Sequence, residues 1–504
     1  MNYFINTNFA AELDDITLSE LQRYHAFNAH GYPIKFLTLA YDNAGILQCS
    51  QHQLAVTDVI NMYDFWQQVP STLKILPGHP TAFEIGFAKD MTIVPIDGVS
   101  HVMKDGFELA TIYFFAGTEQ VQQVDFLDQY SHLVQSDFYD ARGFKSRTLY
   151  YDLQGNLSHA ITYNLKGQQV VHEMYDHTHH NTLLTLYYQH QEYTFDNYDG
   201  AFQFFLQQIL QPQDVVIAEE PATYQYLLNN NLSTIKQYVS LPIHVVDMQQ
   251  PAQSALTPAM QELMQAPPQK LNAGIVATAQ QQSDLEQWCH VHQQTLPFPL
   301  KVASFATAAT KQQIPMVQRK PLNFVSFMSM LPSRHPLLIL RAFNQFVEQN
   351  HYQAHLTLYG YGDEALIKQC EKYIQDETLT EQVTLAAYGP RDWETVLDQS
   401  VGLIDLADDD PQSVAMVTAL AHGVPMIVGH GKYGFQELVQ DGVNGWVVDL
   451  EINSIVQAFN HFTQPDVLQQ ASTNAYYLAQ EYQPAAVTQE WSSILTANAT
   501  SKSN

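Results

Sequence analysis

The sequence predicts an α/β protein with two doubly wound parallel-sheet domains facing a cleft and a β-rich antiparallel meander inserted in the first. Three observations predict it. Strand and helix patterns alternate at both ends of the chain, glycines recur every twelve residues between them, and 504 residues exceed the roughly 100 to 200 of a single domain. Apolar residues make up 46% and charged residues 14%, which supplies full cores and too little charge for a disordered chain.

Taken in order, Tyr3-Phe4-Ile5 reads as a short strand, Leu18 to Ala29 has helical periodicity, and Ile34 to Leu39 reads as a second strand, which makes a βαβ opening. The texture then changes. In FYDARGFKSRTLYYDLQGNLSHAITYNLKGQQV, Gly143, Gly155 and Gly167 stand twelve residues apart after polar turns, with strand-like runs holding Tyr139, Tyr150, Tyr151 and Tyr163 between them. The tyrosines fit a half-buried sheet face, or a surface that stacks on sugar rings or on a partner. From about residue 200 alternation returns, with a helix at Phe202 to Ile209, then VVIAEE, LPIHVVD and GIVATAQQQSDLEQWC. The polar, two-proline stretch Thr310 to Pro321 reads as an interdomain linker. Beyond it NFVSFMS, a helix from Pro336 to Gln349, HLTLYGYGDE, VTLAAYG, VGLIDLAD, VPMIVG and GVNGWVV alternate with helices, the pattern of a doubly wound sheet.

Composition narrows the function. The chain carries 22 basic and 51 acidic residues, net -29, a field that repels nucleic acid and anionic lipid. Only a local cluster such as Arg142, Lys145 and Arg147 would offset it. Cys49, Cys289 and Cys370 form no CxxC pair, and a reduced cytosolic compartment is expected. The opening MNYFINTNFAAELDD lacks the basic and apolar regions of a signal peptide, and no 18-residue apolar run occurs, so a soluble, unexported protein without membrane insertion is expected. His172, His177, His179 and His180 are too irregularly spaced for a metal site, and Asp408-Asp409-Asp410 reads as a solvated loop. No metal is expected.

In LTLYGYGDEALI, Gly360 and Gly362 follow a strand and precede a helix, where backbone amides can approach an anion or a ribose. ALAHGVPMIVGHGKYGFQELVQDGVNGWVV joins a helix end at Gly423, a strand, a glycine-rich turn and the run Asp441 to Gly445. At these residues the chain resembles the retaining GT-B glycosyltransferases of the group containing the bacterial poly(glycerol-phosphate) alpha-glucosyltransferases and the accessory-secretion glycosyltransferases of serine-rich adhesins. The resemblance spans nearly the whole chain, including the meander and the start through NMYDFWQQ. It implies the GT-B fold, with two Rossmann-like domains and a C-terminal helix returning to the first. The expected segments are 1–69 and 199–310 for the N-terminal domain, 70–198 for the insertion, 311–480 for the C-terminal domain, and 481–504 for the return helix and tail.

Such enzymes are expected to meet the charge of a sugar diphosphate at a glycine loop after the first strand, an Arg/Lys pair, and two glutamates eight positions apart. Carried onto this sequence, the glycine position is Asp15, the Arg/Lys pair falls on Met330 and His335, and the glutamates fall on Asp410 and Thr418, with Pro411-Gln412-Ser413 after the first. Arg334 substitutes only if the turn slips by one residue. His244 resembles an acceptor-side histidine and fits equally a structural hydrogen-bonder, and Glu437 fits a ligand or a helix cap.

The pattern keeps the turns at Gly360, Gly389 and Gly442 and loses the donor-holding groups. By resemblance, the expected role is a non-catalytic subunit without cofactor, paired through the meander and its tyrosine face with an active paralogous glycosyltransferase. Its acceptor is a polymer such as teichoic acid or a Ser/Thr-rich polypeptide. The alternatives are an active hexosyltransferase using a UDP-sugar, with Asp410 as surviving carboxylate and Arg334 on the phosphate, and a non-transferase module of an accessory secretion complex.

Overall fold

The structure, a computed structural model, describes residues 1–9, 14–73, 81, 85, 87, 90–178, 180–229, 232–242, 245–247, 250–328, 330–350, 353–360, 362–386, 393–407, 413–431 and 433–496. The chain opens with strands β1 (Asn2–Asn6), β2 (Ile34–Thr38) and β3 (Val59–Asn61). Ten strands follow: β4 (Thr92–Ile96), β5 (Val99–Lys104), β6 (Phe107–Phe114), β7 (Val121–Leu127), β8 (Leu133–Tyr139), β9 (Lys145–Tyr151), β10 (Leu157–Tyr163), β11 (Gln169–Tyr175), β12 (Asn181–Tyr188) and β13 (Gln191–Phe195). Then come β14 (Val215–Ala218), β15 (Lys236–Ser240), β16 (Ala273–Val276) and β17 (Leu300–Val302). The last group is β18 (Asn323–Phe327), β19 (His355–Tyr359), β20 (Val383–Ala386), β21 (Gly402–Asp405), β22 (Met426–Gly429) and β23 (Gly445–Val448).

Two parallel, Rossmann-like sheets result, with strand orders β17-β16-β15-β14-β1-β2-β3 and β20-β19-β18-β21-β22-β23, and between β3 and β14 of the first is inserted an antiparallel meander in which each strand pairs with the next from β4 to β13. This is the doubly wound architecture with an inserted meander that the alternation and the glycine spacing predict. The first helix is longer than its periodic stretch, Asp15–Ala29, because Asp14 caps it through Oδ1 on the Thr17 amide at 2.8 Å. By internal contacts the chain divides into Met1–Ala11 with Ile34–Lys236, and Glu12–Pro33 with Gln237–Asn504.

In the first unit the meander is a twelve-residue repeat, and its punctuation is an Asx residue as well as a glycine. Asp128, Asp140, Asp152, Asn164 and Asp176 each open a turn whose backbone amides donate to the Asx Oδ1, and at four of the five turns Ser131, Gly143, Gly155 and Gly167 adopt φ of +64°, +103°, +83° and +71°. The Asx oxygen fixes the turn and the positive φ lets the chain reverse into the next strand. A buried knot fastens the meander's inner face to the short helix Met62–Gln67, where Tyr63 Oη donates to Glu173 Oε1 at 2.9 Å, Arg147 Nη2 donates to Glu173 Oε2 at 2.8 Å, and Arg147 lies over the rings of Tyr41 and Tyr63.

In the second unit the helix Pro336–Asn350 puts Ile339, Leu340, Phe343 and Phe346 into a core centred on Phe324, which meets Phe343, Phe346, Phe459 and Phe462 edge-on. The segment 310–321 is bound along its length. Lys311 N donates to Ala421 O, Met316 is buried, and Arg319, 4% exposed, gives its guanidinium to the carbonyls of Leu397, Ser400 and His422. It is polar because it supplies donors to helix ends. The helix Pro484–Thr496 buries Trp491 against Phe27 and Phe305, with Nε1 donating to Ser304 O at 2.7 Å and Arg23 held 4.9 Å from its ring. Among the described residues no helix is long and apolar enough to cross a membrane.

Candidate functional site

Of the candidate donor-side residues, Met330, Arg334 and His335 follow the carboxyl end of β18 and Gly360 and Gly362 that of β19, the edge where ligands bind in open parallel sheets. After β18, Met330 is 1% exposed and bridges in parallel to Gly362. Both glycines are required by this approach. A Cβ on Gly360 would lie 1.7 Å from Met328 O, and one on Gly362, at φ +154°, would lie 2.7 Å from Met330 O. The Gly360 amide donates to Ala386 O at 3.0 Å and Asp363 N to Met330 O at 3.0 Å. The glycines therefore serve close packing of two loops, and the Gly360 amide is committed to a carbonyl instead of facing an anion.

The turn Pro332–Arg334 ends at His335, which takes left-handed φ of +54° and accepts at its carbonyl the amides of Leu338 and Ile339, so His335 starts the helix at Pro336. Arg334 and His335 are part-buried neighbours of the Met330 loop. Thr418 is 3% exposed inside the helix Val414–Ala421, and its Oγ1 donates to Val414 O at 2.8 Å. A hydroxyl turned back on its own helix has no proton left for a ribose. Asp408, Asp409, Asp410, Gly389, His179 and His244 lie outside the described residues, as does the side chain of Asp15, whose backbone opens the first helix.

Glu437 does cap a helix. Its Oε1 accepts the Gln280 amide at 3.2 Å at the start of Ala279–Val291, and burial raises its carboxyl above the usual range. Beside it Tyr433 Oη donates to Asp284 Oδ2 at 2.5 Å, with burial and that carboxylate raising the phenol.

On the meander the four tyrosines do not form one face. Tyr139 packs on the small core around Val102 and Val124, where burial pushes its phenol up to about 12. Tyr151 Oη lies 3.3 Å from Ser136 Oγ. Tyr150 stacks on His159 with centroids 4.5 Å apart, His159 meets His172 edge-on, and Lys145 Nζ stands 5.5 Å from the Tyr163 ring. Tyr150, His159 and Met174 are register partners across β9, β10 and β11 and form a row on one face.

The proposed basic cluster is corrected by its partners. Arg142 chelates Asp64 at 2.5 and 2.9 Å and Asp140 at 2.6 and 2.7 Å, Arg147 pairs with buried Glu173, and Lys145 with Asp137 at 2.7 Å. Arg142 and Arg147 are buried and paired, and Lys145, partly exposed, is paired with Asp137, so the three present no unpaired positive charge against the acidic field. Sequence reasoning missed this knot because its members are distant in the chain; the aspartate in every twelfth position was the available signal. Asp42 stands in the same pocket, which Thr38, Cys49, Asn61, Asp64 and Arg142 also line. Burial, with the Asp140 and Asp64 charges, pushes its carboxyl up to about 6. Among the described residues no three His, Cys, Asp or Glu side chains gather as metal ligands.

Residues 310–476 match the family model described as glycosyl transferases group 1, and residues 97–196 match that of the GtfB middle domain. Curated proteins give no match. Among solved structures the chain is similar to a pneumococcal O-GlcNAc transferase, GtfA, in complex with UDP and GlcNAc, at 15% identity and TM-score 0.83 over 98% of each chain. It is similar also to a chain of a GtfA/B complex, at 17% identity and TM-score 0.80 over 98% of each, and to TarM of S. aureus, at 14% identity and TM-score 0.80 over 98% of this chain and 99% of that one. The fold is GT-B.

Proposed function

We propose that this protein acts in bacterial cell-surface glycosylation as a non-catalytic subunit that holds the acceptor and stabilises an active, related glycosyltransferase in the cytoplasm. The observation that carries the reading is Thr418: where the resemblance calls for a ribose-binding carboxylate, a buried hydroxyl is spent on Val414 O. Met330, buried as a thioether where a cation is called for, supports it further. Charge-assisted hydrogen bonds contribute about 1.5 to 3 kcal/mol each. Losing two or three costs about 4 to 8 kcal/mol, roughly a thousand- to a million-fold in donor affinity. Similarity to a chain of a GtfA/B complex supports pairing between related subunits.

The partner surface in this reading is the end of the meander carrying the turns 128–132 and 152–156. Tyr130 and Leu153 at those tips are 71% and 83% exposed, and Met174, in the row with Tyr150 and His159, is 44% exposed. Apolar side chains so placed fit a protein interface. Co-expression with a paralogue that keeps both glutamates and the Arg/Lys pair tests it. The expected result is a heteromer with higher transferase activity than the paralogue alone, broken by Leu153→Glu with Met174→Glu. A monomer that leaves the paralogue's activity and stability unchanged would contradict it.

A further inference from the structure

β19 is built unlike the fully buried strands β21 and β22 of its sheet. A strand in a doubly wound sheet is covered on both faces, and β21 and β22 are buried at every position. β19 alternates instead: Leu356 and Leu358 are fully buried, while His355, Thr357 and Tyr359 on the other face are only part-buried. The open face borders a cavity of about 670 Å³, within the range of about 300 to 1,000 Å³ typical of small-molecule sites.

The lining mixes polar and apolar groups. Asn323 extends the floor beside His355, its register partner on β18. Thr395 and Gln399 of the helix Trp393–Gln399 form the facing wall. Among the described residues Lys320 and Glu381 are its one cation and one carboxylate, and their charges cancel. Burial and the nearby Lys320 hold the His355 ring below its ordinary pKa, so at neutral pH it both donates and accepts. Tyr359 adds an aromatic ring, itself stacked on Phe327 at 5.3 Å. His355 is held between the hydroxyls of Thr357 and Thr384, and hydroxyls, amides and an imidazole beside one aromatic ring, with Pro321, Ala354 and Val396 among them, suit the mixed hydroxyl and C–H surface of a sugar. Among the described residues they offer no excess positive charge to an anion.

We propose that this cavity, whose described lining does not include Met330, Gly360, Gly362 or Thr418, is a binding site for a neutral oligosaccharide. It goes beyond the subunit role above and stands whether or not that role holds. The test is calorimetric titration of the full chain with maltotriose and with the N-acetylglucosamine trimer, with poly(glycerol phosphate) as the anionic comparison and with UDP added in a second series.

A neutral trisaccharide should bind, and UDP should not displace it. Thr357→Leu on the floor and Gln399→Ala on the wall should each weaken it about tenfold, the effect of one lost hydrogen bond. Circular dichroism melts of both variants verify the fold, and because they change different elements, one can fail to fold without removing the test. No binding of either trisaccharide, binding that UDP displaces, affinity unchanged in the folded variants, or a preference for the polyanion would each overturn the proposal.

Discussion

Asp42 shows how one side chain sets a pH dependence. Its folded pKa of about 6 stands above the ordinary carboxylate value, so the stability it contributes is complete below about pH 4 and is lost as pH rises through 6. Asp42→Asn removes that loss and keeps an oxygen for the Ala44 amide. The variant should be more stable than the parent by on the order of 1 to 2 kcal/mol at pH 7.5 and equal to it near pH 4, read from urea unfolding at both. A difference independent of pH would contradict the assignment. Gly360 makes a steric prediction. Its Cβ would sit inside the van der Waals shell of a backbone oxygen, so Gly360→Ala should cost more than about 3 kcal/mol or prevent folding. Gly442→Ala, at φ +69° with open space around it, should cost only about 1 kcal/mol. Paired thermal melts distinguish them.

Within the meander the same Asx device has two weights. Asp152 accepts two backbone amides in an outer turn, and Asp152→Ala should cost about 0.5 to 1.5 kcal/mol. Asp140 occupies the equivalent place twelve residues earlier but also holds buried Arg142, so Asp140→Ala strips one partner from an interior guanidinium and should cost about 3 to 5 kcal/mol. Guanidinium denaturation of the two variants checks the ratio, and equal losses would mean that the Arg142 knot adds nothing. The sequence shows the meander through glycines at 143, 155 and 167, since positive φ demands glycine or a rare substitute. The longer repeat through Asp128, Asp140, Asp152, Asn164 and Asp176 is legible only once Asp and Asn are counted as one turn-forming type. The Arg142 pairing is not legible, because Asp64 reaches it from 78 residues away.

For the whole molecule, parallel sheets write themselves into sequence as apolar runs bounded by glycine, and strands such as MIVG and GLID were readable for that reason. The donor-side residues follow from resemblance alone, and the structure gives the contacts of three of them. Met330 fills a loop contact, Thr418 closes on its helix, and Gly360 pairs with Ala386. Those assignments needed coordinates, because a hydroxyl's partner is not set by its place in the chain. The net charge of -29 remains without a surface cation cluster at 142–147 to offset it. Binding of a Ser/Thr-rich polypeptide should therefore be less sensitive to salt than binding of a polyanionic acceptor, and titrations at 50 and 300 mM salt measure this.

The most direct test of the central proposal, that this chain does not bind an activated sugar, is isothermal titration of the purified chain with UDP-glucose and UDP-N-acetylglucosamine. The account predicts no saturable heat up to millimolar donor. A dissociation constant in the micromolar range, lost on Arg334→Ala, would contradict it.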